Sequence, residues 1–174
     1  GTQSPDYCNH NNHWLEASTK HTYIMSHISL TYHIIWRTRR SQRTLSEEHE
    51  RDLYAYILGM CNGKKCHLYR INSMPDHIHM CVEVHPTIAV SEFMQVIKQE
   101  SSRWIREHRE WFPHFDAWGN GYAAFTYSMA ERQKVIEYIK NQKEHHHKLT
   151  FKEEYENLLR EFGLNPATDL FLKD

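Results

Sequence analysis

Residues 66–84 read CHLYRINSMPDHIHMCVEV, and this stretch decides the fold. Two short β-prone runs, CHLYRIN and HIHMCVEV, flank SMPD, in which Pro75 and Asp76 are turn formers. They read as a hairpin. Because a strand alternates its side chains, His77 and His79 share one face of the second strand and Ile78 takes the other. A pair of same-face imidazoles is a ready pair of metal ligands, although in a chain with 15 histidines it also arises as ordinary polarity.

Upstream, Ile28, Leu30, Tyr32, Ile34 and Trp36 alternate with Ser29, Thr31, His33, Ile35 and Arg37, the period of a strand. After the basic turn RTRRSQR, Thr44-x-x-Glu47 reads as a capping box for a helix that carries Leu53, Tyr56, Ile57 and Met60 and stops at Gly63. Downstream, Ser91 reads as the cap of an amphipathic helix with Phe93, Met94, Ile97, Ser101, Trp104 and Ile105 inward and Lys98, Gln99, Ser102 and Arg103 outward. WGNGYAAFTYS supplies a glycine-rich turn and a fourth strand. Ser128-x-x-Glu131 then opens a helix through ERQKVIEYIKNQKEHHHK, and Thr150-x-x-Glu153 opens a last helix ended by Gly163 and Pro166.

The order β-α-β-β-α-β followed by helices predicts an α+β fold: a ferredoxin-like, RRM-like split βαβ antiparallel sheet with additional C-terminal helices. Its two core helices cover one face, and the other is expected to be free for ligands. Residues 1–24 are polar and without periodicity, an arm ahead of one domain over 25–174.

Composition limits the function classes. The 174 residues are 40% hydrophobic and 25% charged, ordinary for a globular domain. With 21 Lys+Arg against 22 Asp+Glu the net charge is -1, so a nucleic-acid footprint has to be local. Cys8, Cys61, Cys66 and Cys81 make no CxxC pair, and no run has the length of a signal h-region or membrane span, which reads as a reducing, cytoplasmic protein with no membrane partner.

Several chemistries are excluded by what is missing. HExxH and CxxC are absent, against zinc; position 81 is cysteine, against a histidine-triad hydrolase; HLY at 67–69 lacks the second His-x-Thr/Ser of the 2H phosphoesterases. On the third helix Tyr138 and Gln142 lie four residues apart and share a face. Taken alone, a helical tyrosine beside Ile139 reads more often as a core residue than as a nucleophile.

MPDHIHMCVEV, VIKQESSRWI, WGNGYAAFTYS and VIEYIKNQKEHHH, in that order, resemble the single-tyrosine HUH transposases of small bacterial insertion sequences and the related repeat-associated tyrosine transposases. The resemblance runs from about Met25 to about Leu164, and His77-Ile78-His79 matches the motif of histidine, bulky apolar residue, histidine. It implies that Tyr138 is the nucleophile, that His77, His79 and Gln142 hold a divalent metal, Mg²⁺ or Mn²⁺, and that no nucleotide cofactor is used. It further implies single-stranded DNA with a hairpin at element ends as substrate, a covalent 5′-phosphotyrosine intermediate, and a homodimer whose tyrosine helix can serve the partner's histidines.

DNA contacts are less sharply written. Arg37, Arg39, Arg40 and Arg43 form one basic cluster; Lys98, Ser102 and Arg103 on the second helix and Lys140 and Lys143 beside the tyrosine are further candidates, all with a solvated surface as the plain alternative. Glu83 shares the histidine face and reads as a solvated strand residue. The His145 to His147 run reads either as a helix-end cation cluster or as an accidental metal-binding tract, and the chemistry does not need it. Two other functions stay open: a domesticated relative acting on chromosomal repeats, and a non-enzymatic RRM-like nucleic-acid-binding domain, although HIHMCVEV lacks the aromatics that stack bases.

Overall fold

A computed structural model describes residues 27–146 and 149–173, with the side chains of 145 and 146 left aside. The arm over 1–24, the side chains of His145 and His146, and His147 lie outside what it describes. The strands β1 (Thr31–Arg37), β2 (His67–Met74), β3 (His77–Glu83) and β4 (Ala123–Tyr127) and the helices α1 (Glu50–Gly63) and α2 (Val90–Glu107) follow in the expected order. After β4 come α3 (Arg132–Lys140), α4 (Gln142–His146) and α5 (Phe151–Glu161). The sheet order is β2-β3-β1-β4, with every neighbouring pair antiparallel, as the split βαβ requires.

Central strands explain the division of the core. In β1 and β3, Ile34, Trp36, Ile78, Met80 and Val82 face α1 and α2, where Leu53, Ile57, Phe93, Met94, Ile97 and Ile105 complete an apolar layer. The alternate residues Ile35, His77, His79 and Cys81 face the opposite side. That side is not free, which corrects the expectation above. Val135 and Ile139 of α3 pack on Cys81, and Phe151, Tyr155, Leu158 and Leu159 of α5 pack on Ile35, Ala123 and Phe125. An amphipathic helix has to bury its stripe somewhere, and here the second sheet face takes it.

Local signals held to different degrees. Thr150 and Glu153 form the complete reciprocal capping box of α5. At Ser128 only the Glu131 carboxylate returns to the Ser128 amide and hydroxyl, and Glu131 itself precedes α3. Thr44 caps nothing: its amide and that of Leu45 donate to the Pro75 carbonyl, at 2.8 and 2.9 Å, so this segment crosses the hairpin turn and α1 starts later, after His49. Ala89, not Ser91, precedes α2, and Ser102 is buried rather than outward. The long third helix breaks at Asn141 into α3 and α4. Among the described residues no helix is long and apolar enough to cross a membrane, and Cys61, Cys66 and Cys81 are buried free thiols.

One polar link in the core gives a stability test. Ser101, fully buried on α2, accepts from Trp118 Nε1 at 3.0 Å and donates to the Ile97 carbonyl at 2.6 Å. Ser101→Ala strands the indole N–H in an apolar layer and is expected to cost about 1–3 kcal/mol. Chemical denaturation read by tryptophan fluorescence checks it through the midpoint.

Candidate active site

The histidines arrive from the middle of the sheet. His77 pairs with Arg37 and His79 with Ile35 across β1 and β3, and both rings are fully buried. Each ring is held at Nδ1. Asp76 Oδ1 lies 2.6 Å from His77 Nδ1, and His33 Nε2 lies 2.8 Å from His79 Nδ1. With Nδ1 engaged, Nε2 is the atom each ring can offer to the site. Asp76 is itself held in place, because Thr38 donates its amide to the Asp76 carbonyl at 2.8 Å while Thr44 and Leu45 hold Pro75. Behind His77, the Phe151 ring stacks at 4.1 Å.

The helices bring a second set of groups to the same point. Tyr138 lies in the last turns of α3 and Gln142 opens α4; Asn72 of β2 donates to the Ile139 carbonyl at 2.9 Å and so ties this helix end to the sheet. The Tyr138 hydroxyl donates to Glu154 Oε1, and Gln142 Nε2 donates to the same oxygen. Glu154 comes from α5 and is buried. Its Oε2 is 3.9 Å from His77 Nε2 and 3.8 Å from His79 Nε2. Gln142 Nε2 is 3.2 Å from His79 Nε2.

Electrostatics follow from this enclosure. Burial first, and then the Glu154 carboxylate, push the Tyr138 phenol well above its ordinary value, so it stands as a protonated donor. Burial pulls His33 down to about 4, against the attraction of Glu154, which leaves its ring neutral near pH 7. Although burial opposes it, the hydrogen bond from His77 draws the Asp76 carboxyl below the usual range.

These groups fit a metal ion. One donor atom from each of His77, His79 and Glu154 falls within 4.8 Å of the others, and all three residues are buried. Gln142 Oε1 is buried with no hydrogen-bond partner among the described residues. A half-turn of that amide would place an oxygen where the nitrogen now faces His79. A buried amide oxygen and a carboxylate beside two imidazoles suit a divalent cation of the Mg²⁺ or Mn²⁺ class better than they suit an empty apolar core.

Tyr138, His77, His79 and Gln142 thus converge, within one chain. The candidate DNA contacts scatter. Arg37 is buried on the histidine face and donates through two nitrogens to the Phe171 carbonyl, at 3.1 and 2.8 Å. Arg39 pairs with Asp116, and Arg103 with Glu100 and Glu107. Lys98 holds the Gly119 and Gly121 carbonyls at 2.8 and 2.7 Å, clamping the turn before β4. Arg40 and Arg43 are exposed; Lys140 is exposed beside Glu137, and Lys143 bridges to Glu47 and Glu50. Arg43 and Lys143 line a cavity of about 620 Å³ that also touches Asp76 and Phe151. A smaller cavity of about 260 Å³ reaches Tyr138, Glu154 and His33 directly. Glu83 is not simply solvated, since it accepts from Tyr69 at 2.7 Å and faces Arg132.

Three participants were missed in the sequence: His33, Asp76 and Glu154. Glu154 left a signal, an acidic residue between Phe151 and Leu158 on the apolar stripe of its helix. His33 left a weaker one in the β1 alternation, and Asp76 was visible only as a turn former.

The Transposase IS200 like family matches residues 26–142, from the residue range before β1 to the first residue of α4. The chain is 27% identical over 117 residues to the transposase for insertion sequence element IS200 of Salmonella typhimurium, covering 65% of this chain and 76% of that one. To the ISDra2 transposase TnpA of Deinococcus radiodurans it is 24% identical over 117 residues, covering 65% and 84%. In fold it is similar to a REP-associated tyrosine transposase solved bound to a REP hairpin, with a TM-score of 0.54, 13% identity and coverage of 73% and 74%. Glu154 lies beyond the matched range, whereas His33, Asp76, both site histidines, Tyr138 and Gln142 lie inside it. With the match spanning both site strands and the tyrosine helix, the chain belongs to the IS200-like transposase family.

Proposed function

We propose that this transposase cleaves and rejoins single-stranded DNA at element ends through a covalent 5′-phosphotyrosine on Tyr138. The observation that carries the reading is the meeting of one phenol with two Nε2-directed histidines and a buried carboxylate in a single chain. His77, His79, Glu154 Oε2 and the Gln142 amide oxygen would hold the metal, which when bound supplies a Lewis acid for the non-bridging phosphate oxygens. Imidazole donors favour Mn²⁺ over Mg²⁺ in vitro.

The chain's own groups do the rest. The Tyr138 oxygen attacks phosphorus, its proton passes to Glu154 Oε1, and the bond from phosphorus to O3′ breaks. The departing O3′ takes a proton from water and leaves as a 3′-OH. Because the new ester conserves the bond energy, a second 3′-OH can reverse the step on Tyr138 without a nucleotide cofactor. Burial of His77, His79 and Gln142 under α5 keeps bulk water from competing for the intermediate.

A hairpin next to the cleaved strand is the DNA partner that this reading expects, with Arg40, Arg43 and Lys140 as exposed phosphate contacts and with Arg39, Lys98 and Arg103, which are engaged within the fold, and buried Ser102 subsidiary. A homodimer remains part of the proposal. Within one chain Tyr138 already lies beside His79, which supports a reading in which the tyrosine acts in cis. An RRM-like binding role is disfavoured, since α3 to α5 cover the sheet face on which bases would stack. A role on chromosomal repeats uses the same chemistry and differs only in the DNA.

The test is incubation with labelled single-stranded DNA carrying a hairpin. A denaturation-resistant adduct is expected with Mn²⁺, and EDTA is expected to lower its yield by at least about 10³-fold, the size of a several-kcal/mol Lewis-acid contribution. Equal yield with and without chelator would remove the metal from the reading.

A further inference from the structure

We propose that His33 is a positioning residue that sets which nitrogen of His79 faces the metal site. This inference rests on the metal reading of His77 and His79. In the β1–β3 register His33 lies opposite Cys81, which makes it the diagonal neighbour of His79 on the same sheet face. Its ring is buried, its Nε2 is 2.8 Å from His79 Nδ1, and its edge meets the Tyr138 ring at 5.9 Å.

A hydrogen bond between two ring nitrogens holds one proton, and its position decides the function of His79. For His79 Nε2 to accept from the Gln142 amide, or to offer its lone pair to a cation beside Glu154 Oε2, the His79 proton has to sit on Nδ1 and point at His33. His33 Nε2 then has to be the acceptor, which requires a neutral His33 with its own proton on Nδ1. Were the proton shared the other way, His79 would carry N–H at Nε2 and close the site to a cation.

His77 has the same requirement and a different solution. It donates Nδ1–H to the Asp76 carboxylate at 2.6 Å. One ligand is therefore locked by an anion from the hairpin turn and the other by a neutral imidazole from the neighbouring strand. The neutral partner adds no second charge next to buried Glu154, while still fixing the ring. His33 is joined to the site through His79 Nδ1 and the Tyr138 ring and is not among the three residues whose donor atoms cluster, which makes it a positioning residue and not a ligand.

The substitutions that test this are His33→Phe, which keeps a ring and removes the acceptor, and His33→Gln, whose amide oxygen falls near the place of Nε2. The first measurement is ¹⁵N NMR of ring nitrogens in the full chain without metal. Wild type is expected to show His79 protonated at Nδ1, and His33→Gln the same, while His33→Phe shifts the proton toward Nε2. The second is Mn²⁺ affinity without DNA, expected to weaken about 10–100-fold in His33→Phe and by no more than about threefold in His33→Gln. Circular dichroism verifies that the variants compared are folded, and if His33→Phe is not, the wild-type and His33→Gln tautomers carry the decision. A wild-type His79 protonated at Nε2, or folded His33→Phe with wild-type Mn²⁺ affinity, overturns the proposal. Wild type that shows the expected tautomer but binds no Mn²⁺ overturns the metal reading and leaves the hold of His33 on His79 in place.

Discussion

His77→Ala is expected to abolish Mn²⁺ binding and to lower covalent adduct formation by at least about 10³-fold, while hairpin DNA binding stays within a few-fold of wild type. The size follows from what the ring does. His77 is one of two imidazoles whose Nε2 atoms face the same carboxylate oxygen of Glu154. A Lewis acid on the phosphate is worth several kcal/mol, and about 4 kcal/mol corresponds to that factor. The ring is also stacked on Phe151, so its removal leaves a void. His77→Gln, which fills more of the space, separates loss of the ligand from loss of packing: it should melt closer to wild type than His77→Ala and still fail in cleavage. Unchanged cleavage in either variant would take His77 out of the site.

The second large effect belongs to the nucleophile. Tyr138→Phe removes one oxygen and keeps the ring against His33 and His79. Covalent adduct should disappear, because no ester can form without that oxygen, while Mn²⁺ affinity should remain near wild type, since the donors on His77, His79 and Glu154 are untouched. The same variant releases Glu154 Oε1 from a hydrogen bond but leaves it the Gln142 amide. The contrast with His77→Ala is the diagnostic: one variant loses metal and chemistry together, the other loses chemistry alone. Isothermal titration and denaturing gels read the two quantities separately.

Much of the fold was legible because its signals are local. The Pro75-Asp76 turn, the period of β1 and β3 and the Thr150 box all depend on residues near one another in sequence, and each appears in the structure. Thr44 misled for the opposite reason: its amide serves Pro75, a partner across the hairpin that no capping pattern reveals. The burial of the second sheet face was illegible for a related reason, since the apolar stripe of α5 was plain but the surface it covers is set by tertiary packing.

The site divides along the same line. His77 and His79 could be paired from strand geometry alone, and Tyr138 and Gln142 gained their roles only through the resemblance. Their convergence depends on the tie from Asn72 to the Ile139 carbonyl and on Glu154, which sits 75 residues after His79 in the chain and joins the site through α5. A buried acid on an apolar helix face was the one available hint. It shows that a charge is held inside, not what it is held against.

The most direct measurement is mass spectrometry of the covalent DNA adduct formed with Mn²⁺ after nuclease trimming and tryptic digestion. Cleavage after Lys134 and Lys140 isolates residues 135–140, which contain Tyr138 as their single hydroxyl-bearing side chain. Tyr138 in that peptide is expected to carry a nucleotide attached through a 5′-phosphate. An adduct on any other residue, or efficient strand cleavage with no adduct on that peptide, would contradict the assignment of Tyr138 as the nucleophile.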